Sequence, residues 1–166
     1  MNIFALDISP HRAAQMQCDK HVVKMTLETA QILCTALHLN DISDVPYGPT
    51  HDTHPCVLWA AISQNNFSWL CRHGIWLAFE YRFRYSKTHS SESVILKCMD
   101  YTSELPPIGR TPFVQCMPAS YRHSNAVIAY RRYYVGMKSK FAKWNRGRPA
   151  PDWWVSCQTK KSTKNS

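Results

Sequence analysis

The chain has 166 residues, with twenty Lys and Arg against eleven Asp and Glu and a formal net charge of +9. With 45% hydrophobic residues, six Trp and eight Tyr, it can bury a core of its own, which excludes a disordered polyelectrolyte and fits a single domain. No run approaches the roughly 18 apolar residues of a membrane span, and MNIFALDISP lacks the basic region and apolar run of a secretory leader; the expectation is a cytoplasmic protein with no membrane partner. Seven cysteines, none in a CxxC pair, argue against a disulfide framework. Cys34 and Cys98 sit among apolar neighbours and read as small core residues.

In chain order, Ile3 to Leu6 is a short apolar segment. Ser9-Pro10 gives a helix start, with Ser as N-cap and Pro in the first turn, and a short helix runs to about Gln17. Cys18 to Leu39 then reads as one long helix. At about 100° per residue, His21, Lys24, Glu28, Gln31 and Thr35 fall in one stripe, while Val22, Met25, Leu27, Ala30, Ile32, Leu33 and Leu37 cover most of the rest. A helix apolar nearly all round is usually buried, and a buried charge must be paired or useful. The stripe is therefore either a site built on His21, Lys24 and Glu28, or a solvent-facing edge with a Lys24–Glu28 surface pair.

Asn40 to Asp52 has turn composition and reads as a loop. A second long helix begins at His54-Pro55, with Thr53 available as its cap, and runs to about Ser86. Trp59, Ile62, Trp69, Trp76 and Phe83 recur near the helical period along it, and Gly74 is a candidate kink. A third helix fits Ser91 to about Tyr101, and Ile108 to His123 reads as an extended surface loop. Ser124-Asn125 caps a last helix expected to run from Ala126 to Trp144. GRPAP breaks the pattern after it. The expectation is an all-α, single compact helical domain over residues 1–155, with two long buried helices and a basic C-terminal helix, followed by a disordered basic tail over 156–166.

Charge is concentrated at the C-terminal end. From Tyr121 onward there are eleven Lys and Arg and one acid, Asp152, interleaved with Tyr130, Tyr133, Tyr134, Phe141, Trp144, Trp153 and Trp154. Cations neutralise phosphates and aromatic faces stack on unpaired or distorted bases; the other reading is a solvated basic face over aromatic core residues. Arg131, Arg132, Lys138, Lys140 and Lys143 are the expected phosphate contacts, and Tyr133, Tyr134 and Trp144 the expected base-stacking groups. Phosphate-loop, dinucleotide and Ser-nucleophile motifs are absent. Thr50-His51-Asp52-Thr53-His54-Pro55-Cys56, with Cys18 and His21, offers ligands of the kinds zinc accepts, but the paired CxxC knuckles of structural zinc sites are missing, so neither metal nor cofactor is expected.

Asp19-Lys20-His21-Val22, with Glu28 nine residues after the aspartate, resembles the first helix of the phage-type pyrimidine-dimer DNA glycosylases, the endonuclease V family. The start Met1-Asn2-Ile3-Phe4, the pair His54-Pro55, the run Met117-Pro118-Ala119-Ser120-Tyr121-Arg122 and the segment Tyr133-Tyr134-Val135-Gly136 continue the resemblance. It implies a small helical DNA glycosylase with abasic-site lyase activity, a monomer acting on double-stranded DNA with a damaged or modified base. The α-amine of Met1 would be the nucleophile, Glu28 the acid–base group, and His21 would orient the sugar or a phosphate. Asn2, Lys24, His54 and Arg122 complete the expected binding residues. The chain departs from the family pattern in its ISPHRAAQMQ insertion, in Asn2 where an arginine is usual, and in Val135. The rival expectation is a non-catalytic nucleic-acid- or protein-binding accessory protein, with zinc at Cys18, His21, His51, His54 or Cys56.

Overall fold

The computed structural model describes residues 1–162, with side chains to residue 158. Among them are seven α-helices and no strand: α1 (Pro10–Gln15), α2 (Asp19–His38), α3 (Pro55–Ala61), α4 (Gln64–Tyr85), α5 (Glu92–Asp100), α6 (Ala126–Met137) and α7 (Asp152–Ser162), with single 3-10 turns at Thr102–Glu104 and Ala119–Tyr121. The all-α expectation holds. No described helix is long and apolar enough to cross a membrane.

The central pair is α2 against α4, with α1, α3 and α5 packed around them. Leu33, Leu37, Phe67, Leu70, Leu77 and Ile95 are fully buried between them, and burial of such side chains contributes about 1.5–3 kcal/mol each. Cys34 and Cys98 lie in this core, as expected, with their sulfurs 3.5 Å apart. α4 runs through Gly74 without interruption. A Cβ there would fall 2.7 Å from Thr29 Cγ2 and 2.9 Å from Ile95 Cδ1, so its role is to let α4 approach α2 and α5 closely.

Local chemistry sets the helix ends. Ser9 Oγ accepts from Arg12 N–H at 3.4 Å and Pro10 opens α1. The second long helix is broken in two at Ile62-Ser63, contrary to expectation. Ser63 caps α4 by accepting from Asn66 N–H (3.2 Å), while its hydroxyl donates to the Ile108 carbonyl (2.8 Å). Asn66 donates to the Trp59 carbonyl (2.8 Å) and to Thr111 Oγ1 (2.7 Å). These groups pin the 106–111 segment onto the break, so polar groups that a continuous helix would leave idle find partners there. His54, not Thr53, caps α3: its Nδ1 accepts from Cys56 N–H at 3.1 Å.

The C-terminal region departs furthest from expectation. The last expected helix stops at Met137, so Lys138, Lys140, Lys143 and Trp144 lie on an irregular segment that turns back over the start of α2. There the Lys143 carbonyl accepts from Asp19 N–H (2.9 Å) and Trp144 Nε1 donates to the Met16 carbonyl (3.2 Å). Beyond the GRPAP break, α7 occupies residues expected to be a disordered tail from 156; the backbone is helical to Ser162, and positions 163–166 lie outside the described residues. Trp154 of α7 is buried against Trp144, ring centroids 4.9 Å apart.

Arg84, near the end of α4, ties these pieces together. Its side chain is 0% exposed and meets Glu80 (2.9 Å), Asp19 (3.1 Å) and the carbonyls of Gln15 (2.9 Å) and Gln17 (2.8 Å). Arg148 adds a second cation on Glu80 at 2.8 Å.

Candidate active site

The N-terminal segment is buried rather than loose. Ile3, Phe4, Ala5 and Leu6 are core residues, and their entry is fixed by Asn2. Asn2 Oδ1 accepts from Ile3 N–H (2.8 Å) and Phe4 N–H (3.2 Å), and its Nδ2 donates to the Cys116 carbonyl (2.8 Å). Phe4 is thereby held at φ +37°, a backbone state that costs a non-glycine residue about 1–3 kcal/mol and persists only where neighbours over-determine it. Expected as a ligand contact, Asn2 instead spends its side chain on turning the chain's first residue toward α2.

That turn brings the Met1 amino nitrogen 3.6 Å from Glu28 Oε2. The same oxygen accepts from Asn2 N–H at 3.1 Å, and Lys24 Nζ lies 3.3 Å from Oε1. Glu28 is buried while the Lys24 side chain is 68% exposed. The polar stripe of α2 is thus neither a wet edge nor a sealed core: its acid faces the chain's own terminus across a small cavity of about 140 Å³, whose wall includes His21, Phe4, Tyr133 and Lys138. A wider cleft of about 660 Å³ shares Met1, Asn2 and Tyr133 with it and is lined also by His54, Phe113, Gln115, Cys116 and Arg122. Its size suits a nucleotide-sized ligand.

His21 is 6% exposed and stacked on Phe4, ring centroids 4.6 Å apart, with Tyr134 edge-on at 5.0 Å and Phe141 at 5.4 Å. Burial first, and then the nearby Lys138 and Lys24 charges, lower its pKa to about 3. It is a neutral imidazole at physiological pH, and its buried Nδ1 has no hydrogen-bond partner. His54 is also lowered, chiefly by burial and then by the terminal amine.

The expected DNA contacts divide. Tyr133 is half-buried on both cavity walls, with Lys138 Nζ 4.8 Å above its ring. Arg122, Arg132, Lys140 and Lys143 are exposed, and Arg122 lines the wider cleft. Arg131 is corrected: its Nε donates to the Leu6 carbonyl (2.9 Å) and its Nη2 pairs with Asp7 (3.4 Å), so it ties the N-terminal segment to α6. Tyr134 is corrected too, being fully buried, with its hydroxyl accepting from Cys18 N–H at 2.9 Å. Trp144 is half-buried and committed to Met16, as above.

Among the candidate zinc ligands, Cys18 is buried at the start of α2 beside Tyr134. His54 and Cys56 do converge, but with Cys116 as the third member. No family model, curated protein or solved structure matches the chain. What it does must be read from its own side chains. Phe4 and Cys116 are the site residues that sequence reasoning missed: Phe4 looked like ordinary core, and Cys116 has no cysteine at a ligand spacing near it.

Proposed function

We propose that the chain is a DNA glycosylase with abasic-site lyase activity, working through the Met1 α-amine and Glu28. The observation that carries this is the 3.6 Å approach of amine to buried carboxylate at a cavity whose wall residues Met1, Asn2 and Tyr133 also line a nucleotide-sized cleft. α-Amines have an ordinary pKa near 8, against about 10.4 for lysine side chains, so far more of the neutral nucleophile exists at physiological pH.

In the proposed reaction the amine lone pair forms a bond to C1′ of a damaged or modified nucleotide and the N-glycosidic bond breaks, the base leaving with its electron pair and gaining a proton. Ring opening then breaks C1′–O4′: O4′ takes a proton, and nitrogen, having lost its own protons, is left double-bonded to C1′. That imine acidifies the C2′ proton, and its removal expels the 3′ phosphate by β-elimination. Glu28 is the group within reach to carry these protons. His21, neutral and with an unsatisfied ring nitrogen, is placed to hydrogen-bond a sugar oxygen. Tyr133 offers a ring face to a base, and Arg122, Lys138, Arg132, Lys140 and Lys143 offer cations to the phosphates of double-stranded DNA. A monomer acting in the cytoplasm fits this reading.

Borohydride reduction in the presence of abasic-site DNA tests it. Protein whose mass shows Met1 as its first residue should form a covalent adduct with DNA. Protein extended by a few residues ahead of Met1 should form none while keeping its helical content. Equal trapping by both, or none by either, overturns the proposal. The accessory-protein alternative predicts the second of those outcomes.

A further inference from the structure

We propose that His54, Cys56 and Cys116 form a three-ligand site for a zinc-like divalent cation on the wall of the wider cleft. One ring nitrogen of His54 and the two sulfurs all lie within 4.8 Å of one another. The sulfurs are 3.3 Å apart. A tetrahedral zinc with bonds of about 2.3 Å to sulfur separates two thiolates by roughly 3.8 Å, so small side-chain rotations would open the gap to fit.

Two segments deliver the ligands. His54 and Cys56 come from the first turn of α3, and Cys116 from the irregular segment before the Ala119–Tyr121 turn. Cys116 is anchored through its carbonyl to Asn2 Nδ2 (2.8 Å). The ligand types are those zinc selects, two soft sulfurs and an imidazole. Because His54 and Cys116 line the cleft while Cys56 is buried behind them, the fourth tetrahedral position faces the cleft. It is open to water or to an anionic oxygen such as that of a phosphate, the arrangement of zinc sites that bind or activate a ligand rather than merely cross-link a fold. This site stands apart from the amine–carboxylate reading: it uses neither Glu28 nor the amine as a ligand.

Cobalt(II) and zinc(II) titration of the full chain, stripped of metal and kept reduced, tests it. The expected result is one cobalt per chain with thiolate-to-cobalt charge-transfer absorption and the visible bands of a tetrahedral site, bleached by zinc. Loss of a mere supporting partner weakens metal sites by roughly 10- to 100-fold, so C116S and H54N should each weaken binding by at least that. Asn retains a capping acceptor for α3, and C116S alters a half-buried position, so one variant reports even if the other fails to fold. C34S, in the other close cysteine pair, should bind as the parent does. Absence of stoichiometric binding by the parent, or binding unchanged in C116S and H54N, or binding lost in a folded C34S, overturns the proposal.

Discussion

Two carboxylates nine residues apart on α2 meet opposite fates. Asp19 is gripped by groups fixed in the fold: Arg84, itself fully buried, holds one oxygen, and Asn145 N–H donates to the other at 2.8 Å. Glu28 is buried too and accepts one backbone bond from Asn2 N–H, but its ionic partners are a chain terminus and a lysine that reaches in from solvent, and the cavity beside it holds that same terminus. A carboxylate with each oxygen held by a donor fixed in the fold holds structure together. One whose ionic partners are a terminal amine and an exposed lysine can exchange protons with a ligand. The DxH…E pattern therefore joins a structural acid to a candidate catalytic one.

Breaking each acid in turn should separate the two roles. The largest effect is expected for Glu28→Gln, which should lower the rate of borohydride-trappable adduct formation by about 10²- to 10⁴-fold, the usual contribution of a positioned acid–base group, with little change in urea midpoint. Asp19→Asn should do the reverse, lowering the midpoint while the folded fraction traps at the parental rate. Equal behaviour of the two variants would remove the distinction.

Next in size is the enclosed network. Arg84→Met strands Glu80 and Asp19 with fewer partners, and breaking a buried ion pair from one side typically costs about 3–5 kcal/mol; chemical denaturation measures it. A urea series over pH should then show the effect of the neutral histidines. His21 is lowered to about 3 and His73, by burial, to about 4, against about 6.5 in an unfolded chain. Between those values the unfolded chain binds more protons, so stability falls as pH drops from about 6.5 toward about 3. His21→Phe, which keeps the stack on Phe4, should flatten that acid limb.

Smaller effects fall on the terminus and its lysine. Asn2→Ala leaves the Ile3 and Phe4 amides without their acceptor, at about 1–3 kcal/mol, and should slow trapping because the amine is no longer aimed at Glu28. Lys24→Ala removes a largely exposed partner and should change stability by less than about 1 kcal/mol. If the exposed cations contact phosphates, Arg122→Ala should reduce the salt slope of DNA binding by about one, and Arg131→Ala, an internal tie, should act on stability instead.

The comparison also shows where sequence patterning runs out. Helical periodicity marks α5 well because it has one strongly apolar face, and α2 because a narrow polar stripe runs along an otherwise apolar helix. It fails at Ile62-Ser63, where apolar spacing continues through a break that exists only because the 106–111 segment docks there. It fails again after Met137, where aromatic residues at helical spacing belong to a segment folded back over α2. Tyr133 and Tyr134 are neighbours of one chemistry in the sequence. In the fold, about 100° of rotation sends one to the cavity and the other to the core beside Tyr130.

Apolar periodicity, helix caps and the stripe on α2 by themselves determined an all-helical chain with a polar set at His21, Lys24 and Glu28, because those features depend on residue type and on spacings of a turn or two. Only the tertiary structure decided that the chain's first amine faces Glu28, that Asp19 is locked by Arg84, and that Cys116 joins His54 and Cys56. Those meetings span 27, 65 and 60 residues. Nothing in local preference sets them; they follow from how the helices share one core.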